Sequence, residues 1–329
     1  MTQRSPRGRG IVAAATVSWR CPWIEIARAT STLSLALLAS CGDGASTAPA
    51  RDEPPRATSR LEARTDLALL EGSHPRVEAE LPGRGRAVLL VDTGAQYTVL
   101  SSAFARAHGL ALEPFDASAG APTSAPGRRI EHVARVPELL LGAASVRDVR
   151  IAVLDFAGLD HLAGTDGILG QDLLRSWFAV IDGPGRRLVL LPRCTIEEAF
   201  AQLFEGRTGA LRFDVDWSLG VPRVRLPLAG AGEIELLIDT GANFLCLPPE
   251  PIAALGLAKL RTERVQTLEG EAERDVYELP RTSLGVLTIR GEVQAWEHGV
   301  LGWSVLEGAV LAQEGESGVV MLVDRPAWK

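Results

Sequence analysis

Several chemistries are excluded by what this 329-residue chain lacks. It has four cysteines, Cys21, Cys41, Cys194 and Cys246, with no CxxC pair among them. That is too few for a disulfide scaffold and the wrong spacing for a zinc site. Five scattered histidines with no HExxH argue against a zinc hydrolase, and no metal or organic cofactor is indicated. Basic residues are not in excess: 34 Lys and Arg stand against 41 Asp and Glu, for a net charge of −7. Nucleic acid is therefore a poor partner for the chain as a whole. The apolar run Leu33–Ala39 is short, well under the roughly 20 residues a membrane-spanning helix needs. What is present is a hydrophobic fraction of 46%, enough to build real cores and to exclude global disorder. The length suits two domains of ordinary size.

The N-terminus reads as an address. Arg4, Arg7, Arg9, Arg20 and Arg28 precede the apolar run, with Glu25 the one acid among them. A cationic stretch, a short apolar segment and small residues make a secretory signal; it is longer than usual, which leaves a start further downstream open. Its end, Leu38-Ala39-Ser40-Cys41, resembles a bacterial lipobox. The resemblance implies a signal over residues 1–40 and lipidation of Cys41. Gly42 rather than Asp after the cysteine implies the outer membrane, on its periplasmic or surface side. An ordinary signal peptide that happens to precede a cysteine is the alternative. Residues 41–65 are rich in Ala, Pro, Ser and Arg without apolar periodicity and read as a flexible tether.

An internal repeat organises the remainder. Val88-Leu89-Leu90-Val91-Asp92-Thr93-Gly94-Ala95 matches Glu235-Leu236-Leu237-Ile238-Asp239-Thr240-Gly241-Ala242 at a separation of 147 residues. Gly167-Ile168-Leu169-Gly170 matches Gly299-Val300-Leu301-Gly302 at 132, so the second copy is 15 residues shorter in between. A third pairing sets Trp177–Asp182 with Leu188–Leu191 against Gly318–Asp324. Two lobes follow, over residues 66–197 and 198–329. Short apolar runs ending at turns, and alternation in Arg76–Leu81 and Arg223–Leu228, predict mostly strands. Short helices are expected at Ser102–His108, Gln171–Trp177 and Pro251–Leu255.

A carboxylate at the end of a buried strand is costly unless it is hydrogen-bonded or shares a proton. Two such acids, at matching positions of a duplicated chain, suggest a two-fold arrangement that brings them together. Two like charges that close hold one proton between them; the aspartic protease dyad is the standard instance. One carboxylate can then act as a base on water while the other polarises a carbonyl.

The twin Asp-Thr-Gly-Ala turns, each followed downstream by a hydrophobic-hydrophobic-Gly segment, resemble the aspartic protease family. Alanine after the glycine is similar to retropepsins, and two turns in one chain are similar to pepsins. The resemblance implies an all-β, bilobal pepsin/retropepsin-like fold of two pseudo-symmetric, barrel-like lobes with few short helices. It implies Asp92 and Asp239 as the catalytic pair of an endopeptidase, with one chain supplying both. Thr93 and Thr240 would bond across the lobes, and Gly94 and Gly241 would let the backbone approach the carboxylates. Ala95 and Ala242 lack the hydroxyl that would stabilise the ionised pair, which implies activity reaching toward neutral pH. Family members close a β-hairpin over the cleft; the candidates are Asp116–Val136 and Val265–Leu279. The implied partner is a peptide or protein in the cell envelope, and the chain would be a monomer. A lipoprotein of the same fold that holds a peptide or envelope component without cutting it stays open, as does pairing of each lobe with a lobe of another chain. Trp177, Trp296 and Trp303 read as core residues, Cys246 as a buried thiol rather than a partner of Cys194, and Glu269–Glu273 as a solvated turn.

Overall fold

The computed structural model describes residues 58–322, apart from 116–129, 131, 160–161, 205–209, 268–269, 286 and 316–317. The signal, Cys41, the tether up to residue 57 and most of the lobe-one flap candidate lie outside the described residues. Among those described there are 22 strands and five short helices, and none of the helices is long and apolar enough to cross a membrane. The fold is all-β and bilobal, of the pepsin/retropepsin-like type.

Each lobe is built on an eight-stranded sheet. In lobe one the sheet runs Thr58–Arg60, Ala144–Leu154, Val99–Ser101, Gly167–Leu169, Gly85–Val91, Arg76–Leu81, His132–Leu141, Leu112–Pro114. The strands Ala144–Leu154 and His132–Leu141 also pair with each other, so six strands close into a barrel. Lobe two repeats the pattern, with Arg223–Leu228 meeting Gly270–Leu284 to close the ring. The alternation read from sequence sets the faces: in Arg76–Leu81, Val77, Ala79 and Leu81 point inward, and in Arg223–Leu228, Val224, Leu226 and Leu228 do the same. The helices Ser102–Ala107 and Pro249–Ala254 both end two residues before a left-handed glycine, Gly109 at φ 58° and Gly256 at φ 60°. Glycine adopts that conformation without a Cβ penalty.

A third, six-stranded sheet joins the lobes. Lobe one gives Thr65–Ala68, Arg187–Leu191 and Phe178–Asp182; lobe two gives Val310–Glu314, Gly318–Leu322 and Ala210–Phe213. The ladder between lobes runs antiparallel from Phe178↔Glu314 to Asp182↔Val310, centred on Val180↔Ala312. One face of this sheet carries Phe178, Val180, Val189, Leu191, Val310 and Ala312 and is covered by the helix Ile196–Leu203. The opposite face, with Ala179, Ile181, Leu188, Leu190 and Leu311, belongs to a hydrophobic cluster that runs through both lobes.

Three sequence expectations are corrected. The counterpart of Phe178–Asp182 is Val310–Glu314, and Gly318–Leu322 instead answers Arg187–Leu191. Residues 58–65 are not all tether, because Thr58–Arg60 pairs with Ser145–Arg147 and Thr65 begins a strand of the shared sheet. Two helices were not anticipated, Ile196–Leu203 and Trp303–Leu306. The first is started by a capping box in which Thr195 and Glu198 satisfy each other's backbone N–H groups.

Candidate active site

Each Asp-Thr-Gly turn ends a buried strand, Gly85–Val91 in lobe one and Gly232–Ile238 in lobe two. The downstream segments lie parallel to these strands, with Val91↔Leu169 and Ile238↔Leu301 in register. The Asp92 N–H donates to the Leu169 carbonyl at 3.1 Å, and the Asp239 N–H to the Leu301 carbonyl at 3.1 Å. The glycines that follow leave no room for a side chain: a Cβ on Gly170 would strike the Tyr97 carbonyl, and one on Gly302 the Phe244 carbonyl.

The threonines tie the two turns together. Thr93 Oγ1 donates to the Ile238 carbonyl at 2.8 Å and accepts from the Thr240 N–H at 3.0 Å. Thr240 Oγ1 donates to the Val91 carbonyl at 2.6 Å and accepts from the Thr93 N–H at 3.0 Å. Both threonines are almost wholly buried, so water cannot compete for these four bonds.

The carboxyls of Asp92 and Asp239 are brought together by the two turns, the backbone of each turn lying against the other turn's aspartate. Each is half-buried and also accepts two backbone N–H groups. Asp92 Oδ1 takes those of Gly94 and Ala95 at 2.8 and 2.9 Å, and Asp239 Oδ1 those of Gly241 and Ala242 at 2.8 and 3.0 Å. A Cβ on Gly94 would collide with the Asp239 carboxyl, and one on Gly241 with that of Asp92. Burial pushes the Asp92 pKa well above the aspartate range, and the charge and hydrogen bond of Asp239 push it further, against the pull of the Gly94 and Ala95 N–H groups. Asp239 is also raised by burial, but its bond from Asp92 and those from Gly241 and Ala242 oppose the shift. The pair therefore holds one proton between its two carboxyls.

The surroundings are not symmetric. The Gln171 side chain, fully buried behind lobe one's turn, donates to the Thr93 carbonyl at 2.9 Å and exchanges two amide bonds with Gln313 of the shared sheet, at 3.1 and 2.7 Å. The equivalent residue in lobe two is Trp303, whose N–H bonds the Ala242 carbonyl as that of Gln171 bonds Ala95. Thr98 gives its N–H and hydroxyl to Asp172 Oδ1 at 2.8 and 2.6 Å. Sequence reading missed Gln171, Gln313 and Asp172; the pairing of two glutamines 142 residues apart carries no local signal.

Trp177 and Trp303 are core residues, whereas Trp296 is half-buried beneath an arginine. Cys194 and Cys246 are free thiols. Tyr277 packs against the core. The lobe-two flap candidate is part of a long hairpin, Ala258–Thr267 with Gly270–Leu284. Of the acidic cluster, Glu269 lies outside the described residues, while Glu271 and Glu273 are exposed beside Arg264. Among the described residues no group of His, Cys, Asp and Glu could hold a metal ion.

Residues 77–176 match the gag-polyprotein aspartyl protease family, and residues 224–305 match the aspartyl protease family. Each lobe is thus similar to an aspartyl protease domain. The tandem arrangement supports a two-lobe, retropepsin-like protease. No curated protein matches the chain.

Proposed function

We propose that the chain is an aspartic endopeptidase in which Asp92 and Asp239 activate one water between them. The observation that carries this reading is the close approach of the two carboxyls across a pair of turns tied together by their threonines. In this reading Asp239, ionised, takes a proton from the water as its oxygen attacks the scissile carbonyl. Asp92, protonated, donates to the carbonyl oxygen as it gains charge. The tetrahedral diol then collapses: one of its hydroxyls returns a proton to Asp92 as the C=O bond re-forms, the C–N bond breaks, and the leaving amine takes the proton gained by Asp239. Ala95 and Ala242 offer no hydroxyl to the pair, which supports activity extending toward neutral pH.

The catalytic body comprises two lobes, residues 58–197 and 198–329, and the hairpin Ala258–Thr267 with Gly270–Leu284 closes over the bound peptide in lobe two. One chain supplies both acids, so the active form is a monomer. Lipid attached to Cys41 holds the body in the cell envelope, where it meets peptide or protein substrates.

The test is the cleavage of a peptide library by the full chain and by Asp92→Asn, alone and with Asp239→Asn. Loss of at least about 100-fold in rate is expected, as for removal of a general acid or base. Equal cleavage by wild type and variants would refute the assignment. A peptide that binds and survives long incubation would point to a binding protein of this fold.

A further inference from the structure

The two lobes differ in the wall beside each catalytic strand. In lobe one, Leu90, Val99, Leu154 and Ile168 are sealed by Leu159 and Leu162 into a separate apolar cluster. Those two leucines lie between the strands Ala144–Leu154 and Gly167–Leu169. In lobe two only Trp296, Glu297 and His298 separate Leu287–Ala295 from Gly299–Leu301. Ten of the 15 missing residues fall here, and this short connection carries no leucine. A cavity of about 450 Å³ opens instead, with Val221, Leu237, Pro251 and His298 in its wall.

Register places Trp296 where lobe one has Leu154: Leu100 pairs with Val153, and Leu247 with Ala295. The Trp296 N–H is fixed to the Leu247 carbonyl at 3.0 Å. Over its ring lies the Arg274 guanidinium, its Cζ 3.3 Å from the ring centroid. Arg274 belongs to the strand Gly270–Leu284 of the long hairpin. Its Nε is shielded from solvent and donates to nothing. The carboxylates nearest along the hairpin are engaged elsewhere. Glu263, directly opposite Arg274, accepts from Gln294 at 2.6 Å and from Arg261 at 3.0 Å. Asp275 is taken by Lys259 at 2.7 Å and by Thr262 at 2.6 Å, and Glu273 lies 3.8 Å from Arg264. The strand Leu245–Leu247, which follows the Asp239 turn, lies beside Leu287–Ala295, and that strand lies beside Gly270–Leu284, so Cys246, Gln294 and Val276 stand in one row. Arg274 is two residues from that row, on the long hairpin of lobe two.

A guanidinium held flat on an indole keeps its donors in a fixed fork, the geometry that receives a carboxylate through two parallel bonds. We propose that Arg274, backed by Trp296, is a specificity-determining residue that binds a carboxylate of the peptide substrate on the lobe-two side of the scissile bond. The carboxylate comes from an Asp or Glu side chain or from the peptide's C-terminus. This inference rests on the peptidase reading.

The experiment measures kcat/KM of the full chain on peptides that differ at one position beyond the cleavage point, carrying Glu, Gln or Lys there. Each is made with a free and with an amidated C-terminus. Wild type should cleave the Glu peptide, or the free-acid form, at least about 10-fold faster than its neutral counterpart, the scale of one charge-assisted contact. Whichever series shows the ratio names the source of the carboxylate. The ratio should collapse toward one in Arg274→Gln and survive in part in Arg274→Lys, which keeps the charge and most of the stem. Cleavage by wild type without either preference, or a preference unchanged in Arg274→Gln, overturns the inference and leaves the peptidase reading intact. If no peptide is cleaved, the peptidase reading has failed. Fluorescence anisotropy with the same peptides on Asp92→Asn then decides: tighter binding of the acidic peptide that depends on Arg274 supports the site, and equal binding overturns it.

Discussion

At the scale of single residues, the decisive feature is a pair of aspartates with the same neighbours that titrate together. Both accept two backbone N–H groups, and burial raises both above the ordinary range. An acid whose pKa is raised on folding contributes stability that is fully present below its unfolded value. That contribution is lost as pH rises through the folded value. Unfolding by urea should therefore show a midpoint that declines as pH climbs from the ordinary aspartate value through the raised value of Asp92. Asp92→Asn, neutral throughout, should flatten the decline. An identical slope in both proteins would contradict the shared proton. The same titration should set the alkaline limit of peptidase activity. Asp92 and Asp239 were legible in the sequence because a costly residue recurs at one place in two copies. Arg274 was not, because its meaning depends on the tryptophan beneath it and on its neighbours being occupied.

At the scale of elements, the catalytic turns are held from behind as well as across. Gln171 begins the helix Gln171–Leu174, and Gln313 sits in the strand Val310–Glu314. Their reciprocal amide bonds tie lobe one's turn to the shared sheet. Replacing one glutamine by leucine strands a buried amide, a cost of about 1–3 kcal/mol. Replacing both removes the pair, so the double variant should cost less than the sum of the singles by at least ~0.5 kcal/mol. Urea unfolding of the four proteins measures this coupling, and additive costs would mean that the amides act independently. The barrel strands Arg76–Leu81 and Arg223–Leu228 were legible from alternation, since one face of each is solvated. Val310–Glu314 was not: its sequence, VLAQE, has no alternation because all but its last residue are buried. Its partner strand comes from the other lobe. The helix Ile196–Leu203 carried a usable signal in Thr195 and Glu198, a capping box that precedes it.

At the scale of the molecule, the lobes share a sheet, a hydrophobic cluster and the bonds of the two threonines. Each lobe alone would bare the edge of Phe178–Asp182 or Val310–Glu314, a row of unpaired backbone groups that invites association. A protease site inserted between residues 204 and 210 should thus yield halves that elute together in native gel filtration and still cut peptides; separate elution would show that the covalent link is essential. The duplication also has a consequence for how a peptide is read. Two carboxyls on a two-fold axis are blind to the difference between the N-terminal and C-terminal directions of a chain laid across them. The lobes themselves differ: beside its catalytic strand one has sealed leucines, the other an open hollow, and only the second sets a guanidinium on an indole, which on the proposed reading meets the peptide. A homodimer of identical lobes has no such polarity until its substrate arrives. Here it is built into the polypeptide, so the two orientations of one peptide are different ligands.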